Sequence, residues 1–153
     1  MPRACLLVAL LFTACQRPAP EPPVVPAPRP APTVVRTAPS PGELTAMPLD
    51  KLFTRQQTGS VLIYDARPAF VSSFGAIPGA ISWPRRDFKR GLPQHEEEIR
   101  AAESAGTPVV IYCTDADCPD AKTVAKQLVA LGHDVSVLEG GFAEWKGAGL
   151  PVE

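Results

Sequence analysis

Residues 43–153 predict an α/β fold, a parallel sheet covered by helices on both faces. Three observations predict it. Val61-Leu62-Ile63-Tyr64, Val109-Val110-Ile111-Tyr112 and Val135-Ser136-Val137-Leu138 are short apolar runs rich in β-branched residues, and they read as strands. Segments with helical spacing separate them. Turn residues such as Pro68, Gly79, Gly132 and Gly140-Gly141 punctuate the exchange.

The elements follow in order. Leu49, Leu52 and Phe53 after Pro48 suggest a short opening helix. The strand at 61–64 ends in Asp65-Ala66-Arg67, and Pro68 begins a helical turn that runs to Phe74. Gly75-Ala76-Ile77-Pro78-Gly79-Ala80 forms a loop that leads into a short strand, Ala80-Ile81-Ser82. A helix is expected at 94–105, with acidic residues near its start, where they suit the helix dipole. After the strand at 109–112 the chain turns through Cys113-Thr114-Asp115-Ala116-Asp117-Cys118. Pro119 then suits a first helical position, Ala121, Val124, Ala125, Leu128 and Val129 repeat at helical spacing, and Gly132 is the stop. Gly140-Gly141 breaks the strand at 135–138, and a last helix starts at 142–146 with Trp145 on its core side.

The amino-terminal third has a different character. Met1-Pro2-Arg3 is a short basic start, the apolar run at 4–12 is too short to cross a bilayer, and Thr13-Ala14-Cys15 closes it with small residues. Residues 1–15 read as a secretory signal and resemble the signal of bacterial lipoproteins, which implies lipidation at Cys15. Phe12 departs from that pattern, which prefers Leu or a smaller aliphatic residue there. Gln16, in place of Asp, implies the outer membrane, facing the periplasm. Between Pro18 and Pro41 ten positions are Pro, so 16–42 cannot form a packed core and reads as an extended tether. At ~3.1 Å per residue the stretch from Pro18 to Pro41 would reach roughly 75 Å if fully extended. A ligand for a proline-recognition domain is the weaker reading of the same composition.

The net charge of -1 hides an asymmetry. Residues 1–42 hold four Arg and one Glu, and the rest holds eleven Lys or Arg against fifteen Asp or Glu. No basic stripe suggests nucleic acid. Arg85, Arg86, Lys89 and Arg90 cluster after Trp83-Pro84 and read first as a solvated face, second as a rim that attracts anions.

Cys113 sits where a buried strand hands over to a helix, the edge at which open parallel sheets bind ligands. Backbone N–H groups and a helix N-terminus there can face a thiolate. A small buried core cysteine is the bland alternative.

Asp65-Ala66-Arg67, Gly75-Ala76-Ile77-Pro78-Gly79-Ala80, the strand ending in Cys113, and Leu138-Glu139-Gly140-Gly141-Phe142 with Trp145 and Gly149-Leu150-Pro151 together resemble a single-domain rhodanese over the whole of 43–153. The resemblance implies a five-stranded parallel sheet flanked by helices. It implies that Cys113 accepts sulfane sulfur as a persulfide and passes it to a thiol or cyanide. The active-site loop is then Cys113, Thr114, Asp115, Ala116, Asp117 and Cys118. Its partners are a small-molecule or protein sulfur donor and a thiol acceptor, and no cofactor is called for. Phosphatases of the same fold use a seven-residue loop followed by Arg. Here Pro119 is seventh and no Arg follows, so phosphate chemistry is rejected.

This loop departs from the family pattern. Asp115 and Asp117 stand where Arg or Lys is common, and Asp120 lies beyond them. Carboxylates there oppose a thiolate and repel an anionic donor. Ala76 stands where the family frequently has His. Cys118 occupies a position often held by Arg, Thr or Ser. In an exported domain the pair Cys113 and Cys118 invites a disulfide. Cys118 could instead resolve a persulfide, or simply fill a loop-edge site. Zinc is not expected, since His95 and His133 have no ligand spacing to the pair. Asp65 and Arg67 read as supporting residues that bond backbone or each other. Three functions stay open: a membrane-tethered sulfurtransferase, a thiol–disulfide module using Cys113 and Cys118, and a non-catalytic domain that binds a partner.

Overall fold

The structure, a computed structural model, describes residues 40–153. The expectations placed on the leader, on Cys15 and on nearly all of the tether fall outside the described residues. Five parallel strands run in the order β1-β5-β4-β2-β3. They are β1 (Leu44–Met47), β2 (Leu62–Asp65), β3 (Ile81–Ser82), β4 (Val109–Tyr112) and β5 (Val135–Leu138). The helices are α1 (Leu49–Gln57), α2 (Ala69–Ser72), α3 (Phe88–Ser104), α4 (Pro119–Ala130) and α5 (Gly141–Gly147), with a 3-10 turn at Arg85–Asp87 leading into α3.

The period of two along each strand divides the core into two layers. Val109, Ile111 and Cys113 face Tyr64, Trp83, Ile99, Val124 and Leu128, the layer under α3 and α4. Val110 and Tyr112 face Ile63, Ile77, Leu52 and Trp145, the layer under α1 and α5. All four residues of β4 are buried, so its unbroken apolar run is what a central strand requires. In register, Asp65 of β2 lies beside Tyr112 of β4. From β2 the chain moves on to β3 at one edge, and from β4 it moves on to β5 in the opposite direction. The two central strands therefore flank a switch point, and Asp65-Ala66-Arg67 and Cys113 emerge there side by side.

Two elements differ from expectation. β1 was not anticipated as a strand. Three of its four residues are exposed, and it exists through its ladder with β5 and a hydroxyl contact of 2.8 Å between Thr45 and Ser136. α3 begins at Phe88 rather than near residue 94, so Lys89 and Arg90 are helical. Pro93 lies inside it, near the start, where it forfeits a single bond that would have gone to Lys89. Gly91 is needed there for space, since a Cβ would come within 2.8 Å of Trp83 Nε1 and 2.9 Å of His95 Cδ2.

Candidate active site

Cys113 follows β4 directly and is 2% exposed, packed in the layer with Ala121 and Ala125 of α4. Cys118 is the residue before α4, with Pro119 at the first turn. The six-residue loop brings their Cα atoms to 6.0 Å, and the two sulfurs form a disulfide. Asp120, in the first turn of α4, places a carboxylate oxygen within 4.8 Å of both sulfurs. While the sulfurs are bonded to each other they offer no thiolate to a metal.

Other groups hold the loop from three sides. Asp115 Oδ1 accepts the N–H groups of Asp117 at 3.0 Å and Cys118 at 2.9 Å. Lys122 Nζ donates to the carbonyl of Ala116 at 3.0 Å. The start of α5 donates Phe142 N–H to the carbonyl of Cys113 and Ala143 N–H to that of Thr114, both at 2.8 Å. Gly141 permits this approach. Its φ is +61°, and a Cβ there would lie 2.7 Å from Cys113 O and 2.8 Å from Asp115 N. Thr114, Asp115, Ala116 and Asp117 are exposed and Cys118 is half-buried.

Asp65 and Arg67 lie on the other face of the sheet from the Cys113 sulfur. They are 1% and 2% exposed and paired at 2.6 Å. Asp65 Oδ2 also accepts Ser72 Oγ–H at 2.7 Å and Tyr112 O–H at 2.8 Å. Tyr112 in turn accepts Ile77 N–H at 3.2 Å. Burial, and then the Asp65 charge, push the Tyr112 phenol well above its usual range. Burial works against the Arg67 charge, but the hydrogen bond and charge of Asp65 outweigh it and raise the guanidinium above its ordinary value. Arg67 lies 4.1 Å over the Phe142 ring and donates to the carbonyl of Gly75 at 2.8 Å. The pair thus steadies the residue whose N–H holds Cys113, without touching the sulfur.

Two clefts flank the start of α4. One of about 640 Å³ is lined by Ala66, Pro84, Arg85, Arg86, Lys89 and Asp120. Arg85 meets Asp120 at 3.1 Å, so the basic cluster does reach the edge that carries the loop. The other, about 460 Å³, lies toward β1 and is lined by Cys118, Lys122, Lys126, Leu44 and Glu139 among others. Sequence reasoning missed Tyr112, Ser72 and Lys126 as parts of these surroundings. Tyr112 was hidden because it reads as one more apolar strand residue. Gly140-Gly141 was read as a strand break, and the doubled glycine was the available signal of a close approach.

A cysteine loop at the switch point of a five-stranded parallel sheet defines a fold class, and comparison with known proteins narrows it. Residues 49–148 match the model of the rhodanese-like domain, and the chain belongs to that family. It is 36% identical over 107 residues to an HTH-type transcriptional regulator of Mycobacterium tuberculosis, a match covering 67% of this chain and 42% of the regulator's length. A rhodanese-related protein from Thermoplasma volcanium superposes with a TM-score of 0.59 at 19% identity, over 71% of this chain and 97% of that one. A rhodanese-like domain protein from Staphylococcus aureus gives 0.52 at 22% identity, over 66% and 90%. These structural likenesses bear on the fold.

Proposed function

We propose that this chain is an exported sulfurtransferase in which Cys113 carries sulfane sulfur as a persulfide. The observation that supports it most is the position of Cys113, at the C-terminal end of the central strand with its loop carbonyls held by α5 and α4 following. A thiolate of Cys113 attacks the sulfane sulfur of a donor, the donor's remaining fragment leaves with the bonding pair, and the persulfide then passes its outer sulfur to an acceptor thiolate. The leader and Cys15 support placement in the bacterial cell envelope, lipid-anchored at the outer membrane and facing the periplasm.

The disulfide favours a second role for the loop. Attack of the Cys118 thiolate on the inner sulfur of a Cys113 persulfide forms the Cys113–Cys118 bond and expels hydrosulfide, so sulfur and electrons balance. Two electrons from external thiols must then reset the pair. Exposing the reduced full chain to a persulfide donor should add one sulfur atom at Cys113, read by intact mass. Cys113→Ser should abolish both uptake and transfer, and unchanged turnover in that variant overturns the assignment. Cys118→Ser should keep uptake and lose the release of sulfide. A domain that only binds a partner takes up no sulfur in either case.

A further inference from the structure

The two cysteines of the disulfide differ in burial. Cys113 is 2% exposed, whereas Cys118 is half-buried and lines the cleft of about 460 Å³ beside β1. An incoming thiolate approaches through an open cleft, Cys118 is the cysteine of the pair that lines it, and in thiol–disulfide exchange the sulfur attacked decides which cysteine leaves. Among the described residues, the charged groups of this cleft sort into engaged and free. Asp115 accepts two loop N–H groups, and Lys122 donates to Ala116. Lys126 and Glu139 make no side-chain hydrogen bond or ion pair among the described residues, and both are exposed. Beside the engaged charges of Asp115 and Lys122, the cleft therefore presents an unpaired ammonium and an unpaired carboxylate near apolar Leu44, Ala46 and Val137, with Cys118 as the reactive residue. Its size lies within the usual range of about 300–1,000 Å³ for small-molecule sites.

We propose that this cleft admits a small zwitterionic thiol, of the amino-acid or short-peptide class, which opens the disulfide at Cys118 and so frees Cys113 first. The incoming thiolate forms a bond to Cys118 Sγ as the bond between Cys118 and Cys113 breaks, and Cys113 leaves with the electron pair as a thiolate. A second thiolate removes the first as a small-molecule disulfide and leaves Cys118 reduced. Two electrons come from two thiols, and the pair gains them. The order has a use. Cys113 becomes available while Cys118 is still capped, so a persulfide formed in that interval cannot be resolved by its neighbour. That use rests on the proposed sulfurtransferase reading, but the opening itself does not.

The test uses the oxidised full chain with no sulfur donor present, so failure of sulfur uptake and failure of this proposal are separate results. Glutathione is added, early samples are quenched with acid and N-ethylmaleimide, and fragmentation of the peptide containing both cysteines locates each adduct. Glutathione is expected on Cys118 and N-ethylmaleimide on Cys113. The reverse assignment overturns the proposal, as does a chain that keeps two free thiols at Cys113 and Cys118 after oxidation. Lys126→Glu should slow opening by glutathione about three-fold, the scale of an exposed charge contact. It should slow opening by 2-mercaptoethanol less, because that thiolate carries no ammonium or carboxylate to pair with the cleft. Equal effects on the two thiols, or opening only by a protein dithiol, overturn the assignment to a small zwitterionic thiol.

Discussion

The Asp115 carboxylate occupies the N–H groups of Asp117 and Cys118, so an anion arriving at the loop meets donors already in use and a negative charge beside them. Thiosulfate carries two negative charges and suffers on both counts. A neutral or protein-bound persulfide suffers less. Asp115→Asn keeps an oxygen for the same N–H groups, and with Asp117→Arg it reverses the local charge. The double variant should use thiosulfate better than the wild type in a thiosulfate:cyanide assay. The gain should be larger at low salt, because exposed charges are screened over about 10 Å at 0.1 M. A wild type already efficient with thiosulfate, and no better after the change at any salt, refutes this argument. Arg85 at Asp120 offers a partial counterweight that the wild type already has. The acidic residues themselves were legible in the sequence. The turn of Asp115 back onto its own loop was not, because it depends on which N–H groups a six-residue loop leaves unpaired.

At the scale of elements, the Asp65–Arg67 pair ties β2, α2, β4 and the start of α5 together through Ser72, Tyr112, Gly75 and Phe142. Removing one partner leaves a buried charge alone. Arg67→Met should therefore cost about 3–5 kcal/mol in denaturant unfolding. Asp65→Asn should cost a similar amount, because the Arg67 cation stays buried without its carboxylate and the amide NH2 would face groups that donate. If Arg67→Met unfolds at the wild-type midpoint, the pair is not the strut described here. In α3, Glu98 is held below the ordinary glutamate value of 4.5, first by its hydrogen bond to His95. A depressed carboxylate contributes stability above its unfolded pKa and loses it as pH falls through the folded one. Glu98→Gln should therefore flatten the fall of unfolding stability with pH below 4.5, and a curve parallel to the wild type there excludes this contribution. α4 and β4 were legible because Pro119 and an unbroken apolar run dominate them. β1 was not, since Leu44, Thr45 and Ala46 are exposed and only pairing with β5 makes them a strand. The first half of α3 was obscured by Gly91 and Pro93, which read locally as breakers and are accommodated by Trp83 above the glycine.

For the whole molecule, the alternation of strands and helices carried the fold class. The count of five strands came from family resemblance rather than from β1 itself. The site was legible as a position, Cys113 at the end of β4. Its two-sided construction, with sulfur on one face and the Asp65–Arg67 pair on the other, required the sheet register. The proposed anchor belongs to this scale too. Cys15→Ser should block lipidation and release or mislocalise the protein, as fractionation and intact mass would show. Wild-type protein found freely soluble in the periplasm with Cys15 unmodified would refute the anchor.

β1 is also where the folded body meets the chain that precedes it. Gly42 N–H bonds the carbonyl of Val129, Glu43 lies beside Asp134, and the four-residue ladder to β5 follows immediately. A pull entering through residue 40 loads these contacts before any others. Leu44, Thr45 and Ala46, one wall of the cleft beside Cys118, belong to the strand that would yield first. Tension on the proposed anchor would thus be mechanically in series with access to the disulfide. A pull at residue 40 that strips β1 from β5 would expose Cys118 while the central strands still hold Cys113 in place.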